Sequence, residues 1–76
     1  MVKINEYIVA DPKVLGGKPV IKGTRISVAF ILQLLASGMS VEDILKGYPH
    51  LTREAILAAI DYAADTIEHE RILEVG

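Results

Sequence analysis

Seventy-six residues, 51% of them hydrophobic, 24% charged and none a cysteine, make a single domain of a size that buries only about 60% of the surface its unfolded chain exposes. That composition excludes a disulfide scaffold and a thiolate metal site, and the longest strongly apolar stretch, Val28 to Ala36 with Gln33 inside it, falls far short of the roughly 20 residues that span a bilayer. The net charge of −2 conceals two unlike halves: residues 1–38 hold five cations against two acids (+3), and residues 39–76 hold three cations against eight acids (−5), so nucleic-acid contact is expected mainly from the first half.

In chain order, Tyr7-Ile8-Val9 predicts a first short strand, stopped at Asp11-Pro12 because a residue before proline is pushed out of the helical region. The segment Gly16 to Val28, GGKPVIKGTRISV, is the most informative in the chain. Gly16, Gly17 and Gly23 give it backbone freedom and Pro19 fixes φ. Pro19-Val20-Ile21 and Thr24-Arg25-Ile26 flank Lys22-Gly23 as a hairpin would, which predicts the second and third strands. Three strands this short must lie against helices to be stable. The hairpin surface carries Lys18, Lys22 and Arg25 and no acid, base or nucleophile, which marks it as a docking or recognition element.

Ser27 caps a predicted helix from Val28 to about Ser37, ended by Gly38. Gln33 is its one internal polar residue, so the helix has no solvent face and needs cover on nearly every side, more than a domain of this size supplies. Ser40 caps a second, short helix from Val41 to about Lys46, with Asp43 in the capping-box position and Gly47 and Pro49 as stops. Thr52 caps a third, from there to about Leu73, with an apolar line of Ile56, Ile60, Ala63, Ala64 and Ile67 and an acidic stripe of Asp61, Asp65 and Glu68. Its second half outruns the domain and is expected to reach a partner chain. Phe30, Ile31, Leu34, Ala59, Ala63 and Ile67 are the predicted homodimer contacts.

The order of segments predicts a mainly α, three-helix helix-turn-helix domain over residues 1–76, homeodomain-like or winged-helix-like, with short N-terminal strands or a hairpin. If it reads DNA, Lys18, Lys22 and Arg25 hold phosphates and Thr52 and Arg53 contact bases, although Glu54 and Asp61 oppose the backbone potential. A generic three-helix bundle gives the same pattern, and Arg25 is equally suited to an internal pair with a carboxylate of the third helix. A phosphate-binding loop at Lys18 is rejected because the glycine spacing is wrong and Pro12 and Pro19 interrupt it. His50 and His69 stand apart with no thiol or imidazole near, which argues against a metal site. Tyr7, Tyr48 and Tyr62 read as packing residues. Glu42, Asp43, Asp61 and Asp65 read as a solvated surface, so no catalysis and no cofactor are expected.

Asp11-Pro12, GGKPVI over residues 16–21, Gly23-Thr24-Arg25-Ile26, Gly38, Ser40, Glu42, Ile44-Leu45, Tyr48-Pro49, Leu51-Thr52, Ile56 and Ala59 together resemble the prokaryotic domain-of-unknown-function family numbered four hundred and thirty-three (DUF433), across almost the whole chain. The resemblance implies a winged-helix or homeodomain-like helix-turn-helix fold. It also implies an antitoxin-like role, since some members of the family stand beside a PIN-like nuclease toxin and are described as VapB-type antitoxins. The expected protein is a cytoplasmic, non-enzymatic homodimer that binds a PIN-like nuclease, double-stranded DNA, or both. The alternative is a protein-interaction module of the same fold that does not touch DNA.

Overall fold

A computed structural model describes residues 1–69, in the order β1 (Val2–Lys3), β2 (Ile8–Ala10), β3 (Pro19–Ile21), α1 (Val28–Ala36), α2 (Val41–Gly47) and α3 (Arg53–His69). The strands form one antiparallel sheet in the order β1-β2-β3, with Ile8 opposite Ile21 and Val9 opposite Val20. Period-two alternation sends Ile8 and Ile21 toward the helices and Val9 and Val20 to the other face, and all four are buried.

The first strand begins one residue later than the sequence predicts, because the Tyr7 and Ile8 amides both donate to the Asn5 side chain, at 2.8 and 2.9 Å, and Tyr7 is held in the turn. Thr24-Arg25-Ile26 is not a strand. The Thr24 hydroxyl donates to the Ile21 carbonyl at 2.8 Å and accepts from the Ile26 amide at 2.9 Å, which closes these residues into a compact turn and leaves an isolated bridge between Val20 and Ser27. The third strand is instead Val2–Lys3, two residues with too little pattern to be read in advance.

The helix boundaries follow their capping residues. Ser27 accepts from the Phe30 amide at 2.9 Å. At the far end of α1 the Met39 amide reaches the Leu34 carbonyl and the Gly38 amide the Leu35 carbonyl, a Schellman motif that requires the φ of +103° at Gly38. The helix α2 then leaves α1 at 119°. Ser40 and Asp43 form a reciprocal capping box, with distances of 2.9 and 3.0 Å. No single helix among the described residues is long and apolar enough to cross a membrane. The end of the third helix near Leu73 falls outside the described residues.

One isoleucine from each of β2, α1, α2 and α3, namely Ile8, Ile31, Ile44 and Ile56, is completely buried, and Ile21, Val28, Leu51, Ala55 and Ala59 complete the cluster. The core face of α3 is therefore Ala55, Ile56 and Ala59, and the apolar line expected through Ala64 and Ile67 departs from it, since both of these are exposed. The helix α1 also has a solvent face, Ala29, Gln33 and Ala36, at the spacing of one helical side, because the sheet and α3 cover its other sides only. Ile31 and Ala59, expected in a dimer interface, are at 0% exposure within the chain's own core, so neither offers a surface for a second chain to meet.

Ile56→Ala should cost about 2–5 kcal/mol, and Gly38→Ala, where a methyl meets nothing within 4 Å, about 1 kcal/mol from φ alone; urea titration measures both. The Ser40 amide, followed by the Ser40 hydroxyl, holds the Asp43 carboxyl below its ordinary pKa. The capping box thus stabilises fully above the ordinary carboxylate range and loses its effect as pH falls through the lowered value. Asp43→Asn should remove that part of the acid limb of a stability–pH curve.

Candidate functional site

The five residues expected to meet DNA do not form one surface. Lys18 and Arg25 line a cleft of about 380 Å³ with Leu15, Ala29, Phe30 and Gln33. Lys22 lines a different depression of about 240 Å³, together with Glu6, Tyr7, His50 and Thr52. Arg53 lies in neither. Its guanidinium donates to the Glu42 carboxylate of α2 at 2.6 Å, and the Thr52 hydroxyl accepts from the Ala55 amide at 3.1 Å as the cap of α3.

Geometry therefore weakens the first turn of α3 as a base-reading edge. Arg53 carries a partner, Thr52 is occupied in the cap, and Glu54 and Asp61 are exposed, where they oppose a phosphate backbone. The Arg53 hydrogen bond, before any longer-range attraction, holds the Glu42 carboxyl below its ordinary pKa. Farther along α3, His69 Nδ1 lies 3.3 Å from an Asp65 carboxylate oxygen. Among the described residues no three metal-binding side chains converge.

The Lys18–Arg25 cleft is built by an unusual run of backbone. Leu15 has a φ of +52° and Gly16 one of +68°, and the positive φ of a leucine carries a strain of order 1 kcal/mol. That run turns the chain so that the Leu15 side chain, 40% exposed, joins Phe30 in the cleft. Phe30 in turn packs edge-on against Tyr48, with ring centroids 6.0 Å apart at 89°, and this fixes its ring. Arg25 is exposed and, among the described residues, makes no ion pair, so of the two uses open to it the pairing with a carboxylate is not seen there. The sequence signal for this site was the cation triplet; Leu15, whose backbone conformation no pattern announces, was missed.

The expected interface residues are also divided. Phe30, Leu34 and Ala63 are half-buried and Leu34 and Ala63 pack on the core, while Ile67 is 62% exposed. Ile67 lines a separate apolar groove with Leu32, Tyr62 and Ala63, which Lys18 borders.

Known proteins resemble this chain in sequence and fold. The model of the family described as "Protein of unknown function (DUF433)" matches residues 8–63. The crystal structure of a DUF433 member protein from Anabaena variabilis ATCC 29413 superposes with a TM-score of 0.79 at 32% identity, over 86% of this chain and 64% of that one. The uncharacterized protein y4eO of Sinorhizobium fredii (strain NBRC 101917 / NGR234) is 41% identical over 58 residues, 76% of this chain and 26% of the other. The chain thus spans about a quarter of the length of y4eO and less than two thirds of the Anabaena protein. It belongs to the DUF433 family.

Residue-resolved NMR titration should place the Glu42 midpoint below the ordinary carboxylate range, and Arg53→Ala should raise it. An unmoved midpoint would mean that the ion pair does not persist in solution and that Arg53 is free.

Proposed function

We propose that this DUF433 member is a non-catalytic, antitoxin-like binding module of helix-turn-helix fold that works by protein contact, with a PIN-like nuclease as its partner. The observation that carries the reading is the Lys18–Arg25 cleft, in which two cations flank the apolar floor of Leu15, Ala29 and Phe30. Such a site suits a segment that presents carboxylates on either side of an aliphatic or aromatic side chain. The choice of a nuclease rests on the resemblance to VapB-type antitoxins. The module is non-catalytic on this reading because, among the described residues, the charged pairs Arg53–Glu42 and His69–Asp65 lie on exposed helix surface and outside the cleft.

Double-stranded DNA is a second reading, favoured by one observation. Lys22 shares its depression with His50 and Thr52, so a cation stands beside the first turn of α3, where helix-turn-helix proteins engage backbone phosphates. The acidic outer face of α3 limits such binding to backbone contact, with little base preference.

Co-expression with a PIN-like nuclease from an adjacent gene should give a stable complex with the nuclease inhibited, and the absence of such a gene overturns the choice of a nuclease. Arg25→Glu combined with Phe30→Ala should weaken it by about 100-fold, with the helical circular dichroism unchanged. Failure to form a complex, or a complex indifferent to both changes, overturns the reading. For DNA, fluorescence anisotropy against salt should show Lys22→Ala reducing the slope by about 0.9. Binding no tighter than about 10⁻⁴ M near physiological salt removes the second reading.

A further inference from the structure

Between α1 and the C-terminal half of α3 runs a groove of about 350 Å³, bounded by Val28, Ala29 and Leu32 on one side and Tyr62, Ala63 and Ile67 on the other, with Lys18 at its rim. None of the described residues fills it. Beside the groove, α3 carries a second apolar stripe that adjoins its core face at the half-buried Ile60: Leu57, Ile60, Ala64 and Ile67, in the 3-4-3 spacing of a helix seam. Leu57 is 48% and Ile67 62% exposed, and Ala64 is exposed as well. Asp61, Asp65 and Glu68 flank this stripe and are exposed.

The chemistry of the groove and that of the stripe are complementary. An occupant needs a helix-width apolar ridge bearing carboxylates that meet Lys18, and α3 of this same sequence has both. We propose that a second copy of the chain occupies the groove about a two-fold axis, with Ile67 of each copy inserted between α1 and α3 of the other. Lys18 of each chain then faces the acidic flank of the other chain's α3. Charge selects this geometry over a bare pairing of one α3 with another, because the acidic flanks alone would repel each other and Lys18 replaces that repulsion with attraction. It is also the local form of the split between the +3 and −5 halves, and a two-fold axis uses each complementary contact twice. An anionic lipid surface or a nucleic acid is a worse occupant, since the same carboxylates would face its phosphates.

This interface differs from the one the sequence suggested. It keeps Ala63 and Ile67, replaces the buried Ile31 and Ala59 with Leu32, Leu57 and Ala64, and leaves Phe30 to the cation cleft. The inference goes beyond the nuclease-binding reading, and its test uses the chain alone, so either stands if the other fails.

Sedimentation equilibrium of the full chain should report twice the 8.3 kDa chain mass. Ile67→Asp, at an exposed position, should raise the dimer dissociation constant by about 100-fold with helical circular dichroism intact. Lys18→Glu should raise it about tenfold, and Lys18→Glu combined with Glu68→Lys should recover most of that loss. A single-chain mass up to about 100 μM overturns the proposal. So does a dimer that neither Ile67→Asp nor Lys18→Glu weakens.

Discussion

Four isoleucines meeting at one point hold this molecule together. Ile8 comes from the sheet and Ile31, Ile44 and Ile56 from the three helices, each fully withdrawn from water. Neither α2, with seven residues, nor any strand, with two or three, is long enough to be stable alone. Each persists because its isoleucine is buried by the others, at a gain of about 1.5–3 kcal/mol apiece relative to exposure. The arrangement leaves no redundancy, as expected of a domain whose surface is large for its volume.

From that meeting point the directions of all other side chains follow. Once Ile56 and Ala59 face inward, helical geometry places Leu57, Ala64 and Ile67 outside, with the carboxylates alongside. Once Ile21 faces inward, the turn tied by Thr24 carries Lys22 to one side and Arg25 to the other. The cations are thereby parted, and the two depressions they border have different neighbours: the start of α3 for Lys22, and the aromatic and aliphatic side chains of α1 for Arg25. A charge cluster that is continuous in sequence becomes two sites with different chemistry.

The helix-turn-helix fold is thus separated here from its usual electrostatics. The turn between α2 and α3 is short and capped, but the exposed side of α3 is acidic, and its first arginine is held by Glu42 of the preceding helix. A fold places an element, and the side chains on that element decide what it binds. In this chain the apolar and cationic side chains of the Lys18–Arg25 cleft lie against α1, and that is where the proposed nuclease contact is placed.

What the sequence determined by itself were the local features with strong chemistry. The caps at Ser27, Ser40 and Thr52, the stop at Gly38, the asymmetry of charge and the family pattern were legible because each depends on neighbours within a few residues. Tertiary structure alone decided the rest. Thr24-Arg25-Ile26 has the composition of a strand and becomes a turn, because one hydroxyl satisfies two backbone groups. Val2–Lys3 has almost no pattern and becomes a strand, because β2 offers it a free edge. Burial could not be read for Ile31, Ala59 and Ile67, three apolar residues of similar standing in the sequence: the angle at which α1 crosses α3 puts the first two in the core and leaves the third in water. The uses of Arg25 and Arg53 were equally hidden, since whether a guanidinium is paired depends on which carboxylate the packing of the helices brings within reach.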